Sequence, residues 1–194
     1  MANLGFDDAY VGTPPWDTGR PQPAFERFAA GGGLHGRVLD VGCGTGEHAM
    51  MAAALGFTAV GLDASPRAIE RARHKAEERG RDVRFVVGDA LDLAALGERF
   101  DTVLDSGLFH VFDDDDRARY VAGLAGVIPP GGRFVLLCFS DRVPGELGPR
   151  RIREDAIRAS FAEGWRVLSI DLVTMSVLFA EQGIPAWLAV IERT

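Results

Sequence analysis

Short apolar runs alternate with longer amphipathic stretches along the chain after residue 36. Five apolar runs predict buried β-strands, at residues 37–41, 58–62, 83–87, 102–104 and 133–139. The stretches between them predict helices at residues 46–55, 66–79 and 116–127. Strands that alternate with helices in this way form a parallel sheet covered by helices on both faces, so we expect an α/β fold.

The end of the chain departs from this alternation. Residues 165–178 and 186–192 are two runs rich in strand-forming residues, and the connection between them, residues 181–185, is too short for a crossover helix. Two such runs predict an antiparallel hairpin at the C-terminus. The sheet should therefore be mostly parallel, with an antiparallel addition.

Length and composition are typical of a globular protein. The chain has 194 residues, of which 47% are hydrophobic and 25% charged, and we expect a single domain over residues 1–194. Residues 1–36 are an N-terminal arm rich in proline, glycine and aromatic residues, with one predicted helix at residues 23–30. Residues 37–194 are the predicted α/β core.

Charge and cysteine content narrow the partners and the compartment. The 21 basic and 28 acidic residues leave a formal charge of −7, which argues against nucleic acid or an anionic membrane as a partner. Cys43 and Cys138 are far apart, so we expect a reduced, cytoplasmic protein without a disulfide framework. We expect neither a signal peptide nor a membrane helix nor a metal site. The oligomeric state stays open between a monomer and a homodimer.

A glycine-rich turn, Asp40-Val-Gly-Cys-Gly-Thr-Gly46, follows the first predicted strand. Gly42, Gly44 and Gly46 let the backbone turn tightly and let a ligand lie against it. The spacing differs from the G-x-G-x-x-G of dinucleotide sites, and no lysine follows as it does in a P-loop. Glu47 is also expected to repel a pyrophosphate at the start of the helix. A structural turn remains an alternative, but the spacing favours a ligand without phosphates.

Carboxylates end the next two predicted strands. Asp63 is placed to accept hydrogen bonds from both hydroxyls of a ribose, or merely to start the following helix. Asp89 is placed to accept from an adenine amino group while the Ala90 N–H serves a ring nitrogen, or to be a turn residue. Because the carboxyl ends of parallel strands meet at one edge of a sheet, the glycine loop, Asp63 and Asp89 should line one crevice. Together they predict a nucleoside-binding site.

These segments resemble the successive motifs of class I S-adenosylmethionine-dependent methyltransferases. The motifs concerned are residues 40–46, Asp63, Asp89-Ala90, Phe100-Asp-Thr-Val-Leu-Asp105 and the Pro-Pro-Gly-Gly that ends residues 124–132. The resemblance implies a Rossmann-like, seven-stranded sheet and S-adenosyl-L-methionine as the cofactor. It also implies that Asp40 and the glycine loop hold the methionine end, Asp63 and Ala64 the ribose, and Asp89 and Ala90 the adenine.

The arm resembles that of the thiopurine, thiol and halide methyltransferase branch, and that of bacterial enzymes that methylate small heterocyclic or phenolic toxins. The likeness rests on Pro14-Pro-Trp-Asp-Thr-Gly-Arg-Pro-Gln-Pro23. It implies that Trp16 packs over the cofactor, with Gly19 three residues later. The alternative is that Trp16 only anchors the arm to the core.

The segment Asp105-Ser-Gly-Leu-Phe-His-Val-Phe112 follows the fourth strand, where the resemblance places the methyl acceptor. Asp105 and Ser106 match positions that border cofactor and substrate. Phe109 and Phe112 are candidates for the walls of an apolar substrate pocket, or for core packing. His110 is the candidate catalytic base, able to take a proton from a phenol, thiol or ring nitrogen, although a lone histidine is more often structural.

Two polar segments flank this region. Residues 113–116 are four aspartates, which predict an N-cap and a solvated start of a helix. Residues 140–151, rich in proline, glycine and arginine, follow the fifth strand and are expected either to fold over the substrate as a lid or to form a solvated loop.

We therefore expect an S-adenosylmethionine-dependent methyltransferase that transfers a methyl group to sulfur or nitrogen, or to oxygen or a halide, of a small-molecule acceptor. One alternative is a nicotinamide-dependent oxidoreductase on a related sheet, which the glycine spacing and Glu47 disfavour. The other is a non-catalytic regulatory domain that binds S-adenosylmethionine without turnover.

Overall fold

A computed structural model describes residues 4–145 and 148–194 and shows a seven-stranded mixed sheet with helices on both faces. The strands are β1 Val38–Val41, β2 Ala59–Asp63, β3 Arg84–Val87, β4 Thr102–Ser106, β5 Arg133–Phe139, β6 Trp165–Val177 and β7 Ala180–Arg193. The helices are α1 Leu4–Ala9, α2 Pro23–Ala30, α3 Glu47–Ala54, α4 Pro66–Glu78, α5 Asp114–Val127 and α6 Glu154–Ser160. Two 3-10 segments lie at Ala90–Leu96 and Phe109–Val111.

The strand order in the sheet is β3-β2-β1-β4-β5-β7-β6. The five strands β1 to β5 pair in parallel, and β7 runs antiparallel between β5 and β6. Val41 at the end of β1 is in register with Leu62 of β2 and with Asp105 of β4, so the carboxyl ends of these strands lie side by side. The predicted Rossmann-like fold class is confirmed.

Side chains of the short central strands alternate between two cores, one on each face of the sheet. The first core lies under α5, α6 and the Ala90–Leu96 segment, and its largest fully buried members are Tyr120, Phe100, Phe109, Phe134 and Phe161. The second core lies under α2, α3 and α4, and includes Phe25, Val38, Met50, Ile69 and Leu104. Both faces are covered, which explains why β1 has no exposed residue.

The hairpin differs from the prediction in its turn. Residues 181–185, expected to be a connection, belong to β7, and the turn lies at Leu178 and Phe179. The sequence pattern did not predict that the strand continues through Pro185, because proline lacks the N–H group that a strand residue normally donates. Pro185 is accommodated where β7 runs past β5, opposite Thr174 of β6, and its carbonyl accepts hydrogen bonds from the N–H and Oγ of Ser140.

The helices also differ from the prediction in number and in one boundary. The structure adds α1 and α6, which the sequence pattern did not predict, and it starts α5 at Asp114 rather than at residue 116. Asp113 is the N-cap of α5, since its carboxylate accepts from the Asp116 N–H at 2.8 Å. Ser65 is the N-cap of α4, accepting from the Ala68 N–H at 3.0 Å. No helix within the described residues is both long enough and apolar enough to span a membrane.

Candidate active site

The glycine loop lies at the carboxyl end of β1 and turns into α3. All three of its glycines have positive φ, at +67° for Gly42, +53° for Gly44 and +85° for Gly46. Residues with a Cβ rarely adopt this conformation, so the loop geometry itself requires glycine. The Cys43 N–H donates to the Leu62 carbonyl at 2.9 Å, which ties the loop to the end of β2.

Each loop glycine also makes room for a different neighbour. A Cβ on Gly42 would lie 3.1 Å from the Leu108 side chain, and one on Gly46 would lie 2.5 Å from the Phe85 ring. A Cβ on Gly44 would lie 2.7 Å from the hydroxyl of Tyr10 in the arm. Gly46 therefore serves packing of α3 and α4 against the sheet, whereas Gly44 faces a side chain of the arm.

Asp63, the last residue of β2, braces this loop. Its Oδ2 accepts from the Gly44 N–H and its Oδ1 from the Ser65 N–H, both at 2.8 Å. Burial raises the pKa of Asp63 above its ordinary value, and the charge of Asp40 raises it further. Each carboxylate oxygen has capacity for another hydrogen bond, so Asp63 can hold both the loop and two hydroxyl groups. Ala64, beside it, is half-buried.

Asp40 lies within β1 and is almost completely buried. Its Oδ2 accepts from the Ala49 N–H at 3.1 Å. Among the described residues no hydrogen-bond donor reaches its Oδ1, and His48 Nδ1 is 3.7 Å away. His48 Nε2 accepts from the Gln22 N–H at 3.1 Å, so His48 links the arm to α3.

Asp105, in β4, is fully buried and saturated with hydrogen bonds. It accepts from the N–H groups of Leu108 and Phe109 and from the Tyr120 hydroxyl, at 2.8 to 3.3 Å. Burial outweighs these bonds and raises the pKa of Asp105 to about 7. Asp105 therefore shapes the turn after β4 from within the core, while the next residue, Ser106, is half-buried at the edge of the sheet.

Asp89 and Ala90 lie beyond the end of β3. Asp89 is exposed, and its Oδ1 accepts from the Leu91 N–H at 2.9 Å, which makes it the N-cap of the Ala90–Leu96 segment. Ala90 is buried. The second carboxylate oxygen of Asp89 is available to a ligand, so the adenine role remains a prediction.

The arm brings Tyr10 to the loop, a residue that the sequence analysis missed. Trp16 is 41% exposed, and its Nε1 donates to the Tyr10 hydroxyl at 3.1 Å. Tyr10 is buried between Trp16 and Gly44, so the aromatic contact with the loop comes from Tyr10. The sequence signal that could have pointed to Tyr10 is weak, since it is only that an aromatic residue stands six positions before Trp16. Gly19 is exposed, and its N–H donates to Asp17 at 3.3 Å.

His110 lies in the 3-10 turn after β4 and is 3% exposed. Its Nδ1 accepts from the Phe139 N–H at 3.0 Å. Burial, with the charges of Arg117 and Arg151, lowers the pKa of His110 to about 3, so the ring is neutral at pH 7. A neutral ring whose Nδ1 accepts carries its proton on Nε2. This hydrogen bonding does not support the general-base role expected for His110, and it leaves Nε2 as a donor.

The two phenylalanines of this segment have different surroundings. Phe109 is fully buried, stacks on Phe161 at 6.0 Å between ring centroids, and has the Arg117 guanidinium 4.8 Å from its ring centroid. These contacts place Phe109 in the core, so they do not support its expected place in a pocket wall. Phe112 is half-buried, with its ring centroid 5.0 Å from that of Tyr120, and its pocket role stays a prediction.

The chain leaves the end of β5 and comes back at Ile152 to pair with it. Ser140 and Ile152 form a bridge, and the Asp141 N–H donates to the Ile152 carbonyl at 3.0 Å. The Arg150 N–H donates to the His110 carbonyl at 3.2 Å, so this segment lies against the His110 turn. Its expected role as a lid over the substrate stays a prediction. Residues 146 and 147 of the expected lid lie outside the described residues.

Gly107, His110 and Met175 form a corner at the end of β4, which we name the Gly107 corner. A Cβ on Gly107 would lie 3.3 Å from the Met175 methyl group and 3.4 Å from His110 Nε2. Gln22 of the arm fixes the neighbouring end of β6, because its side-chain amide donates to the Ser176 carbonyl at 2.9 Å and accepts from the Ser176 N–H at 2.8 Å. Strand, hairpin and arm thus meet at this corner.

Glu47 has a different environment from the one expected. Its carboxylate accepts from Lys75 at 2.9 Å and from Arg79 at 2.7 Å. Although burial raises the pKa of Glu47, these two cations lower it below its ordinary value. Because both cations neutralise its charge, the predicted repulsion between Glu47 and a phosphate is wrong, and the argument against phosphate ligands rests on the loop spacing and on the lack of a lysine directly after the loop.

The crevice suits a cationic nucleoside. Three carboxyl groups, those of Asp40, Asp63 and Asp105, lie at or near the carboxyl ends of the neighbouring strands β1, β2 and β4. The unpartnered Oδ1 of Asp40 can accept from an ammonium group, and Asp63 can accept from vicinal hydroxyls. S-adenosylmethionine carries a sulfonium, an ammonium and a ribose, so the residues present fit it.

Comparison with known proteins identifies the family. A profile described as a methyltransferase domain matches residues 38–132. A 2-heptyl-1-hydroxyquinolin-4(1H)-one methyltransferase from Mycobacteroides abscessus is 38% identical over 161 residues, which cover 81% of this chain and 71% of that protein.

Solved structures agree with the sequence comparison. One, described as "Conversion of a Disulfide Bond into a Thioacetal Group during Echinomycin Biosynthesis", is 40% identical with a TM-score of 0.88, and the match covers 98% of this chain and 92% of that one. Magnesium protoporphyrin IX methyltransferase from Synechocystis PCC 6803 with bound S-adenosylmethionine is 19% identical with a TM-score of 0.70, over 98% of this chain and 81% of that one.

These findings set aside the nicotinamide-dependent alternative, because the matching profile and the relative at 38% identity, which covers 81% of this chain, are both described as methyltransferases. The chain belongs to the class I S-adenosylmethionine-dependent methyltransferases, and its cofactor is S-adenosyl-L-methionine.

Proposed function

We propose that the protein methylates a heteroatom of a small, largely apolar heterocyclic molecule. The observation that carries this proposal is the Gly107 corner, where a thioether side chain and a neutral histidine meet at the end of β4. The hydroxyquinolone acceptor named for the Mycobacteroides abscessus relative is of this chemical class.

The proposed reaction is a single substitution. Bound S-adenosylmethionine supplies an electrophilic methyl group on a sulfonium. A lone pair of the acceptor heteroatom forms the new bond to the methyl carbon, the C–S electron pair returns to sulfur, and any proton on the heteroatom leaves to solvent. The protein's contribution is to hold the acceptor in line at about 3–3.5 Å, which needs no strong base.

For the cofactor we propose the assignments made from the sequence, with one exception and one addition. The proposed contacts are Trp16, Gly19, Asp40, Gly42, Gly44, Gly46, Asp63, Ala64, Asp89, Ala90 and Ser106, whereas the buried carboxylate of Asp105, saturated with hydrogen bonds, acts only through the turn that it shapes. We add Tyr10, because its hydroxyl lies over Gly44. Burial, together with the charge of Asp63, raises the pKa of this hydroxyl, so it keeps its proton and can donate to the methionine end of the cofactor.

For the acceptor we propose that His110 orients the substrate. The Nε2–H donates to an oxygen or nitrogen of the acceptor, while Nδ1 stays on the Phe139 N–H. Met175 contacts the apolar body of the acceptor from the opposite side, and the Phe112 ring remains a candidate for an outer wall. A neutral donor suits a neutral heterocycle better than an anionic substrate.

An acceptor panel tests this proposal. The purified protein is incubated with S-adenosylmethionine and 2-heptyl-1-hydroxyquinolin-4(1H)-one, a simple phenol, an aliphatic thiol or iodide, and the methylated product is identified by mass spectrometry. We expect kcat/KM to be highest for the heterocycle. Preference for the thiol or iodide would contradict the proposed acceptor class, and cofactor binding without turnover on any acceptor would favour the regulatory alternative.

A sulfur acceptor is the second candidate. The relative at 40% identity is described by a conversion of a disulfide into a thioacetal, which is chemistry at sulfur. The soft, apolar Met175 side chain at the Gly107 corner is equally compatible with sulfur. A heterocyclic thiol added to the panel separates the two candidates, because it differs from the hydroxylated heterocycle only in the attacking atom.

A further inference from the structure

A polar cluster outside the Gly107 corner fastens the arm to the glycine loop. Asp17 belongs to the arm, and its Oδ1 accepts from the hydroxyl of Thr45 at 2.9 Å. Thr45 stands between Gly44 and Gly46 and is only 3% exposed. The arm thus reaches the middle of the loop through a buried side chain.

Lys75 of α4 completes this cluster. Its ammonium donates to the Thr45 hydroxyl at 2.7 Å and to Glu47 at 2.9 Å, and it lies 3.9 Å from Asp17. Because the Thr45 hydroxyl has one proton, it accepts from Lys75 and donates to Asp17. The cation therefore sets the direction of the bond that holds the arm. We name Asp17, Thr45, Glu47 and Lys75 the latch.

We propose that Lys75 is a positioning residue that couples seating of the arm to binding of S-adenosylmethionine. Lys75 acts through Thr45 and Asp17 and keeps the arm where Tyr10 covers Gly44. The inference rests on the cofactor assignment of the glycine loop and is independent of the acceptor.

The charges explain why the cation matters. Without Lys75, the carboxylates of Asp17 and Glu47 lose the ammonium that lies between them, and the Thr45 hydroxyl loses its donor. On its outer side the latch borders an open groove of about 1010 Å³ between the arm and α4, so water can enter when the cation is removed. The part of the arm around Asp17 would then be held less firmly, and the loop would lose part of the cover provided by Tyr10.

Arg79 provides a matched control. It binds the same carboxylate as Lys75, with its guanidinium 2.7 Å from Glu47, but among the contacts of the described residues it makes none to Asp17 or Thr45. Lys75→Met and Arg79→Met each remove one cation from Glu47, and only the first breaks the link to the arm.

The binding of S-adenosylhomocysteine, measured by calorimetry, tests the proposal. We expect Lys75→Met to weaken the affinity about tenfold and Arg79→Met to change it less than about twofold. Lys75→Arg should recover part of the loss because it keeps the charge. Asp17→Ala, which removes the acceptor for the Thr45 hydroxyl, should weaken binding by itself and add little to Lys75→Met, since both variants break the same link.

Two further measurements separate positioning from general destabilisation. Hydrogen exchange of residues 10–20 should be faster in Lys75→Met than in Arg79→Met, and S-adenosylhomocysteine should slow it in the wild type but much less in Lys75→Met. With any acceptor that the wild type turns over, KM for S-adenosylmethionine should rise while KM for the acceptor stays constant. Equal affinities and equal exchange in the two methionine variants would overturn the proposal.

The outcome is distinguishable from failure of the proposed function. If the wild type binds S-adenosylhomocysteine but methylates no heterocycle, the acceptor class is wrong and the binding comparison still decides the role of Lys75. If the wild type methylates the heterocycle but Lys75→Met behaves like Arg79→Met, the latch alone is refuted.

Discussion

The two ends of the crevice are built from different kinds of contact. At the cofactor end, Asp40, the glycine loop, Asp63 and Ser65 all lie within residues 38–65, a single strand–helix–strand unit, and most of their hydrogen bonds are to backbone N–H groups of the same unit. At the acceptor end, Gln22, Gly107, Phe139 and Met175 come from four distant parts of the chain.

This difference governs what each end can tolerate. The cofactor end depends on backbone conformations that residues other than glycine rarely adopt and on a few carboxylates. Few substitutions at these positions should therefore leave the site able to bind the cofactor. The acceptor end depends on where an arm and a hairpin come to rest against β4. A change in the hairpin can alter the acceptor while the cofactor site stays intact, whereas a change in the arm also reaches the cofactor end through Tyr10 and the latch. Binding of cofactor and binding of acceptor should therefore respond differently to substitutions in the hairpin.

The largest expected effect concerns Asp105, which underlies both ends. Its folded-state pKa of about 7 lies above the ordinary value of 3.8, so the folded protein binds this proton more tightly than the unfolded chain does. Its contribution to the free energy of unfolding is therefore fully present below pH 4 and is lost as the pH rises to 7. The loss is on the order of 2–4 kcal/mol. Urea denaturation at pH 5 and pH 8 measures it.

Asp105→Asn is the variant for this measurement. Asparagine can still accept from the N–H groups of Leu108 and Phe109, but it cannot ionise. The difference between wild type and variant should shift in favour of the variant between pH 5 and pH 8. Parallel stability curves for the two proteins would show that Asp105 is ionised throughout, and that its three hydrogen bonds outweigh its burial.

The next effect is confined to the cofactor end. Asp63→Ala removes the acceptor for the Gly44 and Ser65 N–H groups together with the proposed ribose contact. S-adenosylhomocysteine should bind about 1–3 kcal/mol more weakly, the scale of buried partners left unpaired. Calorimetry measures this loss, and KM for the acceptor should stay within about twofold of the wild type. Unchanged affinity for the nucleoside would exclude the ribose role.

What the sequence could predict follows the same division. Asp40, Gly42 and Asp63 were found because a local motif places them, and the sheet around them follows from alternating apolar runs. Tyr10 and Met175 were missed because no local pattern reveals which distant residue will pack on a loop. The sequence pointed to His110 but not to its surroundings, because the Phe139 N–H that donates to its Nδ1 belongs to another strand, and its general-base role stays an unsupported prediction.

A smaller effect should appear only at the acceptor end. His110→Asn keeps an acceptor for the Phe139 N–H and removes the Nε2 donor. We expect kcat/KM for the acceptor to fall about tenfold, with the affinity for S-adenosylhomocysteine unchanged. Because the pKa of His110 is about 3, the wild-type profile of kcat/KM should show no histidine ionisation between pH 5 and pH 8. A change in kcat/KM with a midpoint near pH 6.5, seen in the wild type and absent from His110→Asn, would support the general-base role instead.

The smallest expected effect decides which aromatic residue of the arm serves the cofactor. Tyr10→Phe removes the hydroxyl that lies over Gly44, and Trp16→Phe removes only the N–H that donates to that hydroxyl. If Tyr10 contacts the cofactor, Tyr10→Phe should weaken S-adenosylhomocysteine binding by about 0.5–1.5 kcal/mol and Trp16→Phe by less. The opposite order would mean that Trp16 moves over the cofactor on binding, as its motif implies, and that the arm rearranges at the cofactor end too. Binding at the cofactor end, which already depends on Tyr10 and the latch, would then depend on a second aromatic side chain of the arm, and the contrast between the two ends would be one of degree.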